Sequence, residues 1–164
     1  MSKFTVPIEK LYPILIYIFT TGKLPSKDSY EERLLWQKVG YLAQQLGASL
    51  DEYKFNWYKA GPYSPSYTSL LYNSPNYVDE LNNYILADYT REKLLPLKEI
   101  YSSAPKDISI PRWFELVASI LYIKRESKLE KEAVFKSLIR KKPFFNEYNI
   151  NNQAWDLLVK LNML

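Results

Sequence analysis

The stretch Trp57-Tyr58-Lys59-Ala60-Gly61-Pro62-Tyr63-Ser64-Pro65 decides how the first half of this chain folds. Aromatic and polar side chains alternate over residues 53–58 just before and into it, which is typical of a half-buried strand. Gly61-Pro62 ends the regular ladder, because proline has no N–H and glycine accepts a positive φ. Ser64 is the expected N-cap of the following helix, and Pro65 is its first residue. The stretch therefore predicts a strand, a fixed corner and a helix start.

Helices dominate the rest of the chain. After Asp28 or Ser29, apolar residues recur at positions 35, 39, 42 and 46, which places them on one face of a helix. A second short strand is predicted at residues 84–89, and it would pair with residues 53–58, since a lone strand is not stable. We therefore expect a mainly α, multi-helix domain with a small two-stranded β element. The order helix, helix, strand, helix, strand makes the first half compatible with a winged-helix arrangement.

The best internal boundary is the linker at residues 102–108, which is rich in serine, proline and charge. Residues 1–101 form the helical half that carries the aromatic strand and the Gly-Pro-Tyr-Ser corner. Residues 109–164 predict a three-helix C-terminal half that packs on the first.

Capping residues mark the three helices of the C-terminal half. Ser109 is the expected cap of the first helix. Ser127 is the expected cap of the second, with Glu130 completing a capping box three residues later. Asn149 or Asn151 is the expected cap of the last helix.

The composition excludes several kinds of chemistry. The 164 residues contain no cysteine and no histidine, so disulfides, thiolate metal sites and serine–histidine triads are ruled out. Four glycines leave no room for a phosphate-binding loop. We expect no catalytic residue, no cofactor and no metal. The lack of cysteine fits a cytoplasmic protein, the high tyrosine, lysine and isoleucine content is typical of heat-adapted proteins, and no apolar run reaches the length of a membrane span.

Three stretches together form a recognisable pattern. They are Arg33-Leu-Leu-Trp-Gln-Lys-Val-Gly-Tyr-Leu42, the strand and corner from Tyr53 to Ser64, and Trp113 to Ile123 with the later Lys142-Pro-Phe-Phe145. They resemble the YwgA-like family of uncharacterised prokaryotic proteins, in which a Gln-Lys-Leu-x-[YF]-Leu helix precedes an aromatic strand that ends in Tyr-Gly-Pro-Tyr-Ser. In this chain Val39 replaces the leucine, and Ala60 replaces the aromatic residue before Gly-Pro.

The corner from Trp57 to Pro65 is also similar to the Panacea (SocA-like) domain of antitoxins and phage-associated proteins. The YwgA-like resemblance covers nearly the whole chain and implies no established chemistry. The Panacea resemblance covers about the first 75 residues and implies a non-catalytic, toxin-binding or adaptor role, in a mobile-element or defence setting.

An aromatic surface at the corner is the expected protein-binding site. Tyr58, Tyr63 and Tyr67 predict an exposed aromatic patch of the kind that is enriched at protein interfaces. The full set of candidate residues is Trp57, Tyr58, Gly61, Pro62, Tyr63, Ser64 and Tyr67. The alternative is that these aromatic side chains pack against the first two helices and the corner merely turns the chain.

A basic segment at residues 124–142 is the candidate nucleic-acid site. Eight basic and three acidic side chains give it a net charge of +5, against +4 for the whole chain. Its cations could neutralise phosphates. The alternative is a solvated helix face with Glu–Lys pairs. The basic residues are Lys124, Arg125, Lys128, Lys131, Lys136, Arg140, Lys141 and Lys142.

A nuclease hypothesis rests on Asp51-Glu52-Tyr53-Lys54, which contains Glu-x-Lys at the start of a strand. With Asp28 or Glu31 as a further ligand, such carboxylates could hold Mg²⁺, although solvated charges at a strand edge explain the same residues. The favoured function is a non-enzymatic protein-interaction or regulatory module with a protein partner. The alternative is a DNA-binding regulator of winged-helix type, which would use residues 124–142 or the helix that begins at Pro65. A metal-dependent nuclease is the remote alternative.

Overall fold

A computed structural model describes residues 7–164 of the chain. In chain order its elements are α1 (Ile8–Thr21), α2 (Tyr30–Gln45), β1 (Asn56–Tyr58), β2 (Gly61–Tyr63), α3 (Pro65–Asn73), a 3₁₀ turn (Ser74–Tyr77), α4 (Val78–Leu81), α5 (Asp88–Ser102), α6 (Ile110–Ser127), α7 (Lys131–Lys141) and α8 (Tyr148–Lys160). The protein is mainly helical with a small two-stranded antiparallel sheet, which confirms the predicted fold class.

The α6 helix lies at the centre of the molecule. Every residue from Trp113 to Leu121 is buried. A helix buried on all sides must be surrounded by other elements, and α6 packs against α2, α5, α7, α8 and β2. One hydrophobic core consequently includes side chains from both sides of residues 102–108.

The sheet is a β-hairpin, which corrects the predicted strand pairing. Strand β1 pairs with β2 in antiparallel register, with Trp57 opposite Pro62. Antiparallel residues alternate between hydrogen-bonded and non-bonded pairs, so a proline in a non-bonded pair needs no N–H. The prediction that residues 84–89 pair with 53–58 is wrong, because 84–87 form no strand and α5 begins at Asp88. Within this run Ile85 is 78% exposed, whereas Leu86 is buried in the core. The winged-helix-like order depended on that strand and is not confirmed.

Serine caps begin three helices as the sequence predicts. Ser29, Ser64 and Ser109 each accept a hydrogen bond from the backbone N–H three residues later, at 3.1, 3.3 and 3.4 Å. The predicted cap of the last helix is wrong, because α8 begins after Glu147, ahead of both Asn149 and Asn151.

The expected cap at Ser127 is wrong. Helix α6 continues through Ser127, whose hydroxyl donates to the Ile123 carbonyl within the same helix at 2.6 Å. This back-bonding uses the hydroxyl inside α6. Lys128, which has a left-handed φ of 58°, is the C-cap of α6, and Glu130 is the residue that precedes α7.

Candidate functional site

The predicted corner is held in place by Gln37, a buried residue of α2. Its side-chain oxygen accepts the Ser64 N–H at 2.9 Å, and its side-chain nitrogen donates to the Ser64 carbonyl at 2.8 Å. The same nitrogen donates to the Thr68 hydroxyl at 2.7 Å, and Thr68 in turn donates to the Tyr63 hydroxyl at 2.9 Å. A satisfied buried network of this kind fixes geometry. Helix α2 therefore sets the position of the hairpin end, the start of α3 and the Tyr63 ring.

Strand β2 lies directly on α6 at Gly61. A Cβ added at this position would lie 2.6 Å from Ser119 Oγ, and the φ of 87° independently favours glycine. Ser119 is fully buried, and within residues 7–164 its hydroxyl has no hydrogen-bond partner. The corner thus requires glycine, and it encloses an unpaired hydroxyl beneath it.

Lys38 is completely buried between α2 and the hairpin. Its Nζ donates to the Pro62 carbonyl at 2.5 Å and lies beside Gly61. Lysine is almost never fully buried unless it is paired. Burial lowers the pKa of Lys38 from 10.5 to about 7; nearby Glu115 opposes this shift, and Lys142 adds to it. At neutral pH the side chain is therefore balanced between a neutral amine and an ammonium ion.

The buried carboxylate of Glu115, on α6, binds two other cations. Its Oε1 lies 2.6 Å from Arg112 Nη1, and its Oε2 lies 2.6 Å from Lys142 Nζ. Lys142 also donates to the Lys59 carbonyl at 2.7 Å, which ties the hairpin loop to the end of α7. In the part of the chain that the structure describes, no carboxylate lies within ion-pairing distance of Lys38 Nζ. Three basic side chains, two of them ion-paired with it, therefore lie near one buried carboxylate behind the hairpin.

A cavity of about 290 Å³ opens between α2, the hairpin and α3. We call it the hairpin groove, and its walls include Tyr30, Arg33, Lys38, Ala60, Tyr63, Thr68 and Tyr72. The charged residues of this lining are Arg33 and Lys38, both of them cations. Tyr30 and Tyr72 are each 50% exposed at its rim. The groove thus combines aromatic walls, hydroxyl groups and positive charge.

The structure places the predicted protein-binding residues in different environments. Tyr58 is 45% exposed and meets Tyr63 edge-on, with ring centroids 5.1 Å apart. Trp57 and Tyr63 are partly exposed. The remaining corner residues, Gly61, Pro62 and Ser64, are buried.

The prediction that Tyr67 belongs to the exposed aromatic patch is wrong. It is 0% exposed, and its ring stacks on Trp36 of α2 with centroids 4.5 Å apart. The Trp36 indole N–H also donates to the Tyr67 carbonyl at 2.8 Å. Tyr67 shares the buried face of α3 with Leu70 and Leu71, and this face lies on the core. Its hydrophobic area is used in folding rather than at a surface.

The eight basic residues of 124–142 also lie in different environments. Lys142 differs most from the expected solvated stripe, because its side chain is 9% exposed and is paired with Glu115. Lys124 and Arg125 each donate to a backbone carbonyl oxygen. Lys131 lies over the Phe135 and Tyr148 rings. The side chains of Lys128, Lys136, Arg140 and Lys141 are exposed.

Three residues of this site are not indicated by any sequence motif: Gln37, Lys38 and Glu115. The helical period carried the signal for Lys38, because it lies three residues after Leu35 and four before Leu42, on the buried stripe of α2. Glu115 similarly falls inside the apolar run of α6. A charged side chain on a buried stripe is the pattern that indicates such a site.

Within residues 7–164, no helix has the length and apolar character to cross a bilayer, and no group of three or more acidic, histidine or cysteine side chains is arranged to hold a metal ion. No family model, curated protein or solved structure matches this chain.

Proposed function

We propose that this protein is a non-enzymatic protein-binding module and that the hairpin groove, extended by the neighbouring Tyr58, is its binding surface. The observation that carries the proposal is the collection of Tyr30, Tyr63 and Tyr72 around one cavity. Tyrosine is enriched among the residues that dominate binding energy at interfaces. A rigid aromatic wall also loses little conformational entropy on binding.

Hydrogen bonds within the chain position the walls of the groove without a partner. Gln37 fixes the hairpin end through Ser64, and Thr68 orients Tyr63. Such preorganisation lowers the entropic cost of binding. The resemblance of the corner to the Panacea domain supports the same proposal, and with it an antitoxin-like or adaptor role in the cytoplasm.

Comparative capture from cell extract tests this function. The tagged protein, the double variant Tyr63→Ala/Tyr72→Ala and the control Tyr89→Ala are incubated with native extract, with and without nuclease. Tyr89 is 70% exposed on α5 and is not part of the groove lining, so its variant controls for nonspecific binding through an exposed tyrosine. We expect proteins that are retained by the wild type and the control, lost from the double variant, and unaffected by nuclease. Identical retention by all three proteins would overturn the assignment of the groove.

A DNA-binding regulator is a second candidate, favoured by one observation. Lys136 and Arg140 lie four residues apart on α7, so their exposed side chains share one helix face. Lys128 and Lys141 are exposed nearby in the chain. Helix α3, the other candidate, contains no basic residue. DNA binding through phosphate contacts would weaken steeply between low and moderate salt, so a flat salt response would reject this function.

A further inference from the structure

We propose that a second cleft, between the hairpin, α6 and α7, binds single-stranded nucleic acid, with one base stacked on Trp57 and the neighbouring phosphates bound by Arg140 and Lys141. This binding activity goes beyond the proposed function, since the cleft shares no lining residue with the hairpin groove. We call it the Trp57 cleft. The lining residues that matter here are Trp57, Tyr122, Glu126, Leu129, Arg140 and Lys141.

The first argument is the aromatic wall of the Trp57 cleft. Trp57 and Tyr122 lie side by side, with ring centroids 5.6 Å apart, and both residues are partly exposed. Leu129, which is 43% exposed, adds further apolar surface. The cleft volume of about 340 Å³ is at the small end of the range for ligand sites, and it suits one base with its sugar. Aromatic rings of this kind bind any base, because every base has a flat π-face.

The second argument is the charge beside those rings. Arg140 and Lys141 line the same cleft from α7, and both are exposed to solvent. Within residues 7–164, neither side chain forms an ion pair. The lining also contains Glu126, so two cations face one carboxylate there and the net charge is positive. Solvent-accessible cations next to a stacking platform are the combination by which proteins bind single-stranded nucleic acid.

The third argument is the contrast between two adjacent lysines. Lys142 donates to the Lys59 carbonyl at 2.7 Å and pairs with buried Glu115, so it ties the end of α7 to the hairpin. Lys141 instead reaches the cleft, where its Nζ lies over the Trp57 ring, 5.6 Å from the centroid. A solvent-exposed cation–π contact is weaker than the stacking of a base on an aromatic ring. An incoming base therefore displaces the ammonium group from the ring and leaves it free to bind a phosphate.

The occupant is a single strand rather than a duplex because of the stacking step. The bases of a duplex are stacked on one another, so an aromatic side chain on a protein surface stacks only on a base that is unpaired. A duplex would offer the cleft its phosphates but no base face. The contribution of Trp57 therefore distinguishes the two forms of nucleic acid.

The experiment measures fluorescence anisotropy of labelled probes with the full-length protein, at about 50 mM salt, where phosphate contacts are strong. The three probes are an oligothymidylate of about twelve nucleotides, an abasic strand of the same length and a duplex of the same length. Trp57→Leu removes the stacking ring, and its matched control is Trp155→Leu, which changes another partly exposed tryptophan, on α8, outside the cleft lining. Circular dichroism checks that each variant is folded.

We expect the wild type to bind oligothymidylate at least about tenfold more tightly than the abasic strand or the duplex, because only the first probe supplies a base to stack. Trp57→Leu should lose this preference, and Trp155→Leu should keep it. The phosphate contacts are tested with Arg140→Gln/Lys141→Gln, which should weaken binding of the oligothymidylate and the abasic strand alike. Its control, Lys93→Gln/Lys106→Gln, removes the same charge from two exposed lysines outside the cleft and should bind like the wild type.

Several results would overturn the proposal. Equal affinity of the wild type for oligothymidylate and the abasic strand would show that no base is stacked, and this comparison needs no variant. Duplex binding as tight as that of the single strand would favour a DNA-binding regulator that contacts phosphates alone. A preference for oligothymidylate that persists in folded Trp57→Leu, or no binding of oligothymidylate at all, would also reject the Trp57 cleft as the site. All of these results are independent of Tyr63 and Tyr72, which line the hairpin groove and not this cleft.

Discussion

The ring of Tyr67 occupies the space that a side chain at position 40 would need. A Cβ added to Gly40 would lie 2.3 Å from Tyr67 Cε2 and 2.5 Å from Cζ. This contact joins α2 to α3. The glycine is therefore required by close approach of a neighbouring ring.

Gly40→Ala is expected to destabilise the protein. Alanine normally gains up to about 1 kcal/mol over glycine in a helix. Here the Tyr67 ring cannot move aside, because it is stacked on Trp36 and meets Tyr53 edge-on at 4.9 Å. Overpacking should dominate and cost about 1–3 kcal/mol. Urea unfolding measures the change, and a variant more stable than the wild type would contradict the fold described for α2 and α3.

Tyr67→Ala and Tyr58→Ala should differ strongly in their effect on stability. Tyr67 is fully buried, so its truncation leaves a cavity and should cost about 3–5 kcal/mol. Tyr58 is 45% exposed, so its truncation should cost under about 1 kcal/mol. Thermal unfolding of both variants provides the comparison. Combining Tyr58→Ala with Tyr63→Ala should reduce partner binding while leaving the melting temperature nearly unchanged; a drop of about ten degrees or more would place these rings in the core.

Lys142→Met should destabilise the protein far more than Lys141→Met, although the two residues are adjacent and chemically identical. Lys142 binds the buried Glu115 and the Lys59 carbonyl, and loss of such charge-assisted hydrogen bonds costs about 2–3 kcal/mol. Lys141 is exposed and lies over the Trp57 ring, a contact worth about 0.5–1 kcal/mol. Denaturant unfolding of the two variants measures this difference. Equal free energies of unfolding would show that the contacts of Lys142 with Glu115 and Lys59 do not stabilise the protein.

Lys38 should make the stability rise with pH above neutrality. Its pKa is about 7 in the folded protein and near 10.5 when unfolded, so between these values the unfolded state binds more protons. Under that condition the free energy of unfolding increases with pH, by at most about 1.4 kcal/mol per pH unit for one group.

The comparison with Lys38→Met isolates this effect. The free energy of unfolding of the wild type minus that of the variant should rise between pH 7 and 9 and be flat below about pH 6. Burial raises the pKa of Tyr17 and Tyr41 above 10, so they do not titrate in this window. A difference that stays constant over pH 7–9 would show that Lys38 is a charged, solvated lysine.

Local sequence signals predicted the helices well because their causes are local. Ser29, Ser64 and Ser109 cap helices through side-chain bonds that span three residues. The same capping rule fails at Ser127, because its hydroxyl donates to the Ile123 carbonyl one turn earlier and the helix continues. The apolar run at residues 84–89 resembles a strand, but a strand also needs a pairing partner. The predicted partner, Asn56–Tyr58, pairs with Gly61–Tyr63 instead.

The amino-acid sequence by itself determined the mainly helical fold, the caps, the corner at Gly61-Pro62 and the absence of cysteine and histidine chemistry, since all of these follow from residue type and short spacing. Only the tertiary structure decided that Tyr67 lies in the core while Tyr58 is exposed, that Lys142 is paired with Glu115, and that Lys38 is buried. Burial and charge pairing depend on which distant segments meet. Here α6 brings Glu115 and Ser119 behind a hairpin that lies far away in the sequence.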